Sequence, residues 1–357
     1  MFYRISLIVF IFFGCYNSVQ KKVQFSDKLA ASVKEGGFKM EDYWVWGASV
    51  IKGNDGKYHM FASRWPKKYP FFVGYIFNSE VVRAVSDNPE GPFEFQEVVL
   101  KPRGSEYWDG RMTHNPTIHK HGDTYLLFYI GTTYEGEKPA PEKMVKPLSD
   151  EMNQFERETY ANIRIGLVTS KSVFGPWERS DKPILEPRPD KWDNNVTTNP
   201  APCVAGDGSI LLVYRSNVPG KGTRLGAAKA EKLGEPFYRI RDNYMEFHVE
   251  DPYIWWVDDH YEMIAKDQSG KITAEFQAGV HATSQNGIDW ILSEPPKAYS
   301  RNIVWDDGTT VNLGSFERPQ LLIESGKPVC LYCATGDGPG GFRNATRTWN
   351  VATPFKK

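Results

Sequence analysis

One pattern recurs five times along the chain, and it constrains the fold more than any other feature. A polar or small residue, often followed by Pro, opens an apolar strand; a Gly/Asp turn and a second, aromatic strand follow. The copies are Trp46-Gly-Ala-Ser-Val-Ile with Tyr58-His-Met-Phe, Asn115-Pro-Thr-Ile with Tyr125-Leu-Leu-Phe-Tyr, Asn199-Pro-Ala-Pro with Leu211-Leu-Val-Tyr, Glu250-Asp-Pro-Tyr-Ile-Trp with Tyr261-Glu-Met-Ile, and Glu317-Arg-Pro-Gln-Leu-Leu with Pro328-Val-Cys-Leu-Tyr. Turns such as Gly53-Asn-Asp-Gly56 and Gly206-Asp-Gly208 between the two strands are hairpin chemistry. Trp108-Asp109-x5-Asn115-Pro116 returns 84 residues later as Trp192-Asp193-x5-Asn199-Pro200, and Ser86 and Gly91 return as Ser170 and Gly175 at the same offset. Successive copies start 69, 84, 51 and 67 residues apart, enough for four strands each. Such units are blades, so the expected fold is all-β, a single five-bladed β-propeller over residues 40–357. The fifth blade needs an outer strand from Arg347–Ala352 or from the segment before Trp46. Residues 135–158, rich in Glu, Lys and Pro, read as a solvated flap inserted in blade 2.

Composition narrows the function. Lys and Arg number 43 against 44 Asp and Glu, a net charge of −1, which offers no field to hold a polyanion and excludes nucleic acid as a partner. The 11 Trp, 18 Tyr and 21 Phe exceed what a core of this size requires and suggest aromatic surface for a ligand. At the N-terminus, Arg4 precedes the apolar run Leu7–Phe13, too short to span a bilayer and laid out like a signal peptide. Gly14-Cys15 directly after it resembles the lipobox of bacterial lipoproteins, with Cys15 as the lipidated residue; Tyr16 gives no inner-membrane retention signal. The expectation is a signal over 1–15, a linker over 16–39, and an exported protein at the cell surface or in the periplasm. An outer-membrane lipid anchor is then its one contact with a membrane; an ordinary secretion signal cut near Cys15 is the alternative.

In a propeller the loops entering the innermost strands converge on one funnel, so residues far apart in sequence act together. Those loops carry Tyr107-Trp108-Asp109-Gly-Arg111 with His114-Asn115, Trp192-Asp193 with Asn199, Glu250-Asp251, and Trp305-Asp306-Asp307 with Glu317-Arg318. Carboxylates, amides and tryptophans suit a sugar, whose hydroxyls need polar partners and whose C–H faces stack on aromatic rings. Asp251 and Glu317 are the leading catalytic pair, with Asp109 as a third acid. Trp46, Trp108, Arg111, His114, Asn115, Asn199, Glu250, His281 and Arg318 are candidate substrate contacts. Strand alternation allows only one of Glu250 and Asp251 to face the funnel. His119 and His121 share a strand face without an evident third ligand, so no metal site is assigned and no cofactor is expected.

Five blades, Glu-Asp-Pro and Glu-Arg-Pro at inner-strand starts, and Ser-x4-Gly-Pro-Phe/Trp after the second strands resemble glycoside hydrolases of families 43, 32, 117 and 130. The resemblance covers residues 40–355 and implies a glycosidase without cofactor, although some family 43 relatives hold a central cation. Family 43 has an Asp base in the first blade, where Gly47-Ala48-Ser49 stands here; the Asn-Asp-Pro-Asn of family 32 does not occur. Family 117 is nearer in length and in its C-terminal acids. The implied activity is exo-acting, inverting release of a terminal sugar from a plant or algal oligosaccharide or polysaccharide. The alternatives are a phosphorylase or lyase on the same scaffold, or a carbohydrate-binding propeller without catalysis.

Overall fold

The computed structural model describes residues 24–144, 152–338 and 341–357. The signal segment with Cys15 lies outside the described residues. Five four-stranded antiparallel sheets form the blades of a β-propeller. From the inner strand outward, blade 1 is Tyr43–Lys52, Tyr58–Pro66, Glu80–Ser86 and Glu94–Leu100; blade 2 is Met112–His121, Thr124–Thr132, Arg164–Ser170 and Glu178–Arg179. Blade 3 is Thr198–Val204, Ile210–Val218, Gly222–Ala230 and Tyr238–Arg239; blade 4 is Val249–Val257, His260–Asp267, Gly279–Ser284 and Ile291–Tyr299. Blade 5 takes both strands proposed for its closure. Glu317–Glu324 and Lys327–Gly336 are followed by Thr348–Pro354, and Phe38–Lys39 pairs outside it. The chain start thus seals the ring and covers a sheet edge. Of the segment read as linker, residues 24–39 belong to the folded body: Phe25 packs on Phe355 and Trp255.

Strand alternation explains the core. In blade 2, Tyr125, Leu127 and Tyr129 pack toward blade 1, with Phe61, Val81 and Leu100. Leu126, Phe128 and Ile130 pack toward blade 3, with Leu212, Tyr214 and Ala228. Period-2 side chains on a strand covered on both faces therefore read as one continuous apolar run. Equivalent clusters join blades 3 and 4, 4 and 5, and 5 and 1. Cys330 and Cys333 fall in two different clusters, both as buried free thiols.

The Trp-Asp repeat proves to be a clasp within the blades, away from the funnel. Asp109 is fully buried, and its Oδ1 accepts from Arg103 Nε and Nη2 at 3.0 and 2.8 Å. Its Oδ2 accepts from Tyr129 OH and Arg179 Nη2, while Trp108 packs on the Tyr129 ring at 5.7 Å. Asp193 repeats this with Arg188, Tyr214 and Arg239, and Trp192 stacks on Tyr214 at 5.9 Å. Gly166 and Gly226 leave room for the two indoles: a methyl group on either would lie 2.6 Å from a tryptophan ring atom. A buried carboxylate is tolerated only when its charge and lone pairs are met, and two guanidiniums and a phenol meet them here.

Two helices rise from the ring. α1, Phe71–Asn78, lies between the second and third strands of blade 1 and buries Phe71 against Trp44, Trp46 and Trp65. α2, Gln154–Ala161, ends the blade 2 insertion; Asn153 caps it in a reciprocal capping box with Glu156. Phe77 of α1 stacks on Phe155 of α2 at 5.7 Å. Of the insertion expected as a solvated flap, the described residues 152–158 lead into and form part of this packed wall.

Candidate active site

A pocket of about 1170 Å³ opens at the inner-strand starts, lined from all five blades and by both helices. Its floor has a fivefold logic. Gly47, Asn115, Asn199, Asp251 and Arg318 occupy the same place in successive inner strands, and all have φ between 49° and 56°. Each marks a slip in register against the neighbouring strand. These are bulges, and a bulge breaks strict alternation. Glu250 and Asp251 therefore both line the pocket, which corrects the expectation that only one of them would. The same holds for His114 with Asn115, Thr198 with Asn199, and Glu317 with Arg318.

The acids gather on the side of blades 4 and 5 around a lysine that the sequence did not single out. Lys266, on the second strand of blade 4, is 3% exposed. Its Nζ lies 2.8 Å from Glu250 Oε2, 2.8 Å from Glu317 Oε2 and 3.8 Å from Asp251 Oδ2. Arg215 Nε approaches Glu250 Oε1 at 3.2 Å, and Gln268 donates to Glu250 Oε2. Burial works against the Glu250 charge, but Lys266 and Arg215 outweigh it and hold this carboxyl well below the ordinary glutamate range. Glu317 differs. Burial pushes it up, Lys266 pulls it back, and the charges of Asp251 and Glu250 keep it above the ordinary value. Its Oε1 is buried and has no hydrogen-bond partner among the described residues, so this oxygen is free to carry a proton. The site thus holds two glutamates pushed in opposite directions.

Asp251 is tied down more fully. It accepts from Asn199 Nδ2 at 2.6 Å, and from Arg318 N and Nη1, each at 3.3 Å. His114 bonds Ser79 Oγ through Nδ1 at 2.7 Å and stacks on Tyr75 of α1 at 4.7 Å. Burial and Arg318 hold its imidazole well below the usual value, so it is neutral near pH 7. The aromatic wall is Trp46, Trp65, Phe71, Phe72, Tyr75, Tyr160 and Phe342. Tyr160 OH accepts from Arg215 Nη2 at 3.0 Å, which couples α2 to the acid cluster.

Four sequence candidates stand elsewhere. Asp109 and Trp108 form the blade clasp. Arg111 lies over the Tyr134 ring and donates to the Gly136 carbonyl at the root of the insertion. His281, on the third strand of blade 4, contacts Ser293 Oγ at 2.6 Å and stacks on Phe25 at 4.8 Å. His119 and His121 separate, toward Thr117 Oγ1 and the Gly208 carbonyl. Among the described residues no cluster of three or more His, Cys, Asp or Glu could hold a metal ion.

No family model matches the chain, and no curated protein matches it in sequence. Solved structures do match in fold. A family 117 glycoside hydrolase from Zobellia galactanivorans superposes with a TM-score of 0.62 at 15% identity, over 92% of this chain and 89% of that one. A thermostable family-43 glycoside hydrolase gives 0.56 at 13% identity, over 88% and 89%. An alpha-L-arabinofuranosidase from Podospora anserina, solved with cellotriose, gives 0.59 at 10% identity, over 92% and 98%. The chain shares its five-bladed propeller with glycoside hydrolases.

Proposed function

We propose that the protein is a glycoside hydrolase that removes a terminal sugar, with Glu317 as general acid and Glu250 as the ionised second carboxylate. The observation that carries this reading is the opposed tuning of two neighbouring glutamates: an unpartnered oxygen on the buried Glu317, and a charge on the half-buried Glu250 fixed by Lys266 and Arg215. Glycoside cleavage needs one protonated and one ionised carboxyl. Walls from α1, α2 and Phe342 suit a chain end better than an open groove does, which supports exo action.

Asp251 is the organiser in this reading: its carboxylate ties Asn199 of blade 3 to Arg318 of blade 5. The Oε2 atoms of Glu250 and Glu317 each lie 2.8 Å from one ammonium, so they are no more than twice that distance apart. Carboxyl separations of about 5–5.5 Å go with double displacement and about 6.5–9.5 Å with inversion. Inversion is the outcome expected from sequence, and proton NMR of the first anomer released distinguishes it from retention. Turnover of a panel of plant and algal oligosaccharides by the wild type and its Glu317→Gln and Glu250→Gln variants tests the whole reading. Loss in both variants supports it; unchanged turnover in both overturns it. Export with a lipid on Cys15 belongs to the same proposal, and palmitate labelling of wild type against Cys15→Ala checks it.

A further inference from the structure

Four of the five bulge residues, Arg318, Asp251, Asn199 and Asn115, form a hydrogen-bonded chain with a direction. The Asp251 carboxylate accepts from Arg318 and from Asn199 Nδ2. Asn199 must therefore present its NH2 to Asp251 and turn its Oδ1 the other way, where it accepts from Thr198 Oγ1 at 2.9 Å and Asn115 Nδ2 at 3.1 Å. Asn115 in turn has its NH2 committed, so its Oδ1 points onward. The amide orientations follow from the acceptor at the head of the chain.

The chain stops at Gly47, the one ring position without a side chain. Asn115 Oδ1 and Arg318 Nε are both buried and have no hydrogen-bond partner among the described residues. Both border the space in front of Gly47. A methyl group placed there would lie 3.6 Å from Asn115 Oδ1 and 3.8 Å from Arg318 Nε, with nothing nearer. An acceptor and a donor buried at more than nine-tenths and left unmatched cost free energy unless a ligand group satisfies them.

We propose that this pair is a hydroxyl-binding site on the pocket floor. One hydroxyl donates to Asn115 Oδ1 and accepts from Arg318 Nε–H, which an ionised carboxylate or sulfate oxygen cannot do because it has no proton to give. The Arg318 charge is already met by the Asp251 carboxylate through Nη1 at 3.3 Å. The inference rests on the glycosidase reading and deepens it: the sugar unit seated on the floor is neutral at this position, neither a uronate nor a sulfate ester there.

The test is a pair of crystal soaks of the wild-type enzyme, one in glycerol as neutral polyol and one in sulfate as anion, each repeated on Gly47→Asn. Asn tolerates positive φ, as Asn115 and Asn199 do, and its amide can take both orphaned atoms. The expected result is a glycerol oxygen within hydrogen-bond distance of both atoms in the wild type, no sulfate at that point, and loss of the glycerol in Gly47→Asn. Sulfate on the pair, or glycerol bound elsewhere with the pair untouched, overturns the proposal. If Gly47→Asn does not fold, the two wild-type soaks decide. They read binding alone, so their outcome stands apart from whether Glu317→Gln lowers turnover.

Discussion

Lys266 Nζ sits 2.8 Å from Glu317 Oε2 and the same distance from Glu250 Oε2, a single buried cation between two carboxyl groups. It neutralises one of them and leaves the other with a free oxygen. Burying a cation among carboxyl groups is favourable only while each group keeps its partners. Replacing Lys266 by Met should destabilise the fold by about 3–5 kcal/mol, read as a lowered urea midpoint. In any folded fraction, both carboxyls lose the charge that pulled them down, so both limbs of the pH–activity profile should move to higher pH.

The wild-type pH profile follows from the two directions. Glu317 must be protonated, and its value lies above the ordinary 4.5, so activity should fall as pH rises through that raised value. Glu250 must be ionised and is held below 4.5, so the acid limb should lie below the usual glutamate range. The linked stability terms have opposite signs. The Glu317 contribution is present below pH 4.5 and lost as pH rises through its folded value; the Glu250 contribution is present above 4.5 and lost as pH falls. Glu317→Gln should remove the alkaline limb of whatever activity remains, and kcat/KM measured across pH checks it.

Asp109→Asn separates the clasp from the catalyst. Leaving Arg103 and Arg179 without their shared carboxylate should cost about 3–5 kcal/mol and lower Tm by several degrees, with turnover retained in the folded enzyme. Asp193→Asn should behave alike, because Arg188 and Arg239 stand in the same relation to it. Turnover lowered roughly 100-fold in Asp109→Asn, with stability unchanged, would return Asp109 to the chemistry.

These residues mark what could and could not be read in advance. The blades were legible because a blade is local: two strands and a turn repeat within each unit, and offsets such as Trp108 to Trp192 survive in the sequence. The same repeat misplaced Asp109, since a buried Asp clasped by arginines and a funnel Asp look identical as letters. Asp-Pro and Arg-Pro located the inner-strand starts, but the bulge there, with the positive φ of Asp251 that lets both Glu250 and Asp251 line the pocket, is a backbone property. Lys266 closes the apolar run Met263–Ala265 and owes its role to acids on two other strands. A charged residue ending a buried strand level with Glu250, its cross-strand partner, was the signal available. Phe71–Phe77, short and apolar between Pro70 and Asn78, reads equally well as a strand. Of the tryptophans expected at the funnel, Trp46 lines it, whereas Trp192 and Trp305 pack in the body of the ring.

The most direct test is the dependence of Glu317→Gln on the leaving group. General acid assistance matters most when the departing oxygen is a poor leaving group and least when it is an activated phenol. On a natural sugar–sugar linkage, kcat/KM for the variant should fall roughly 100- to 10,000-fold, while a dinitrophenyl glycoside of the same sugar should lose less than about tenfold. Equal losses on both substrates, or none on either, would contradict the assignment of Glu317 as the proton donor.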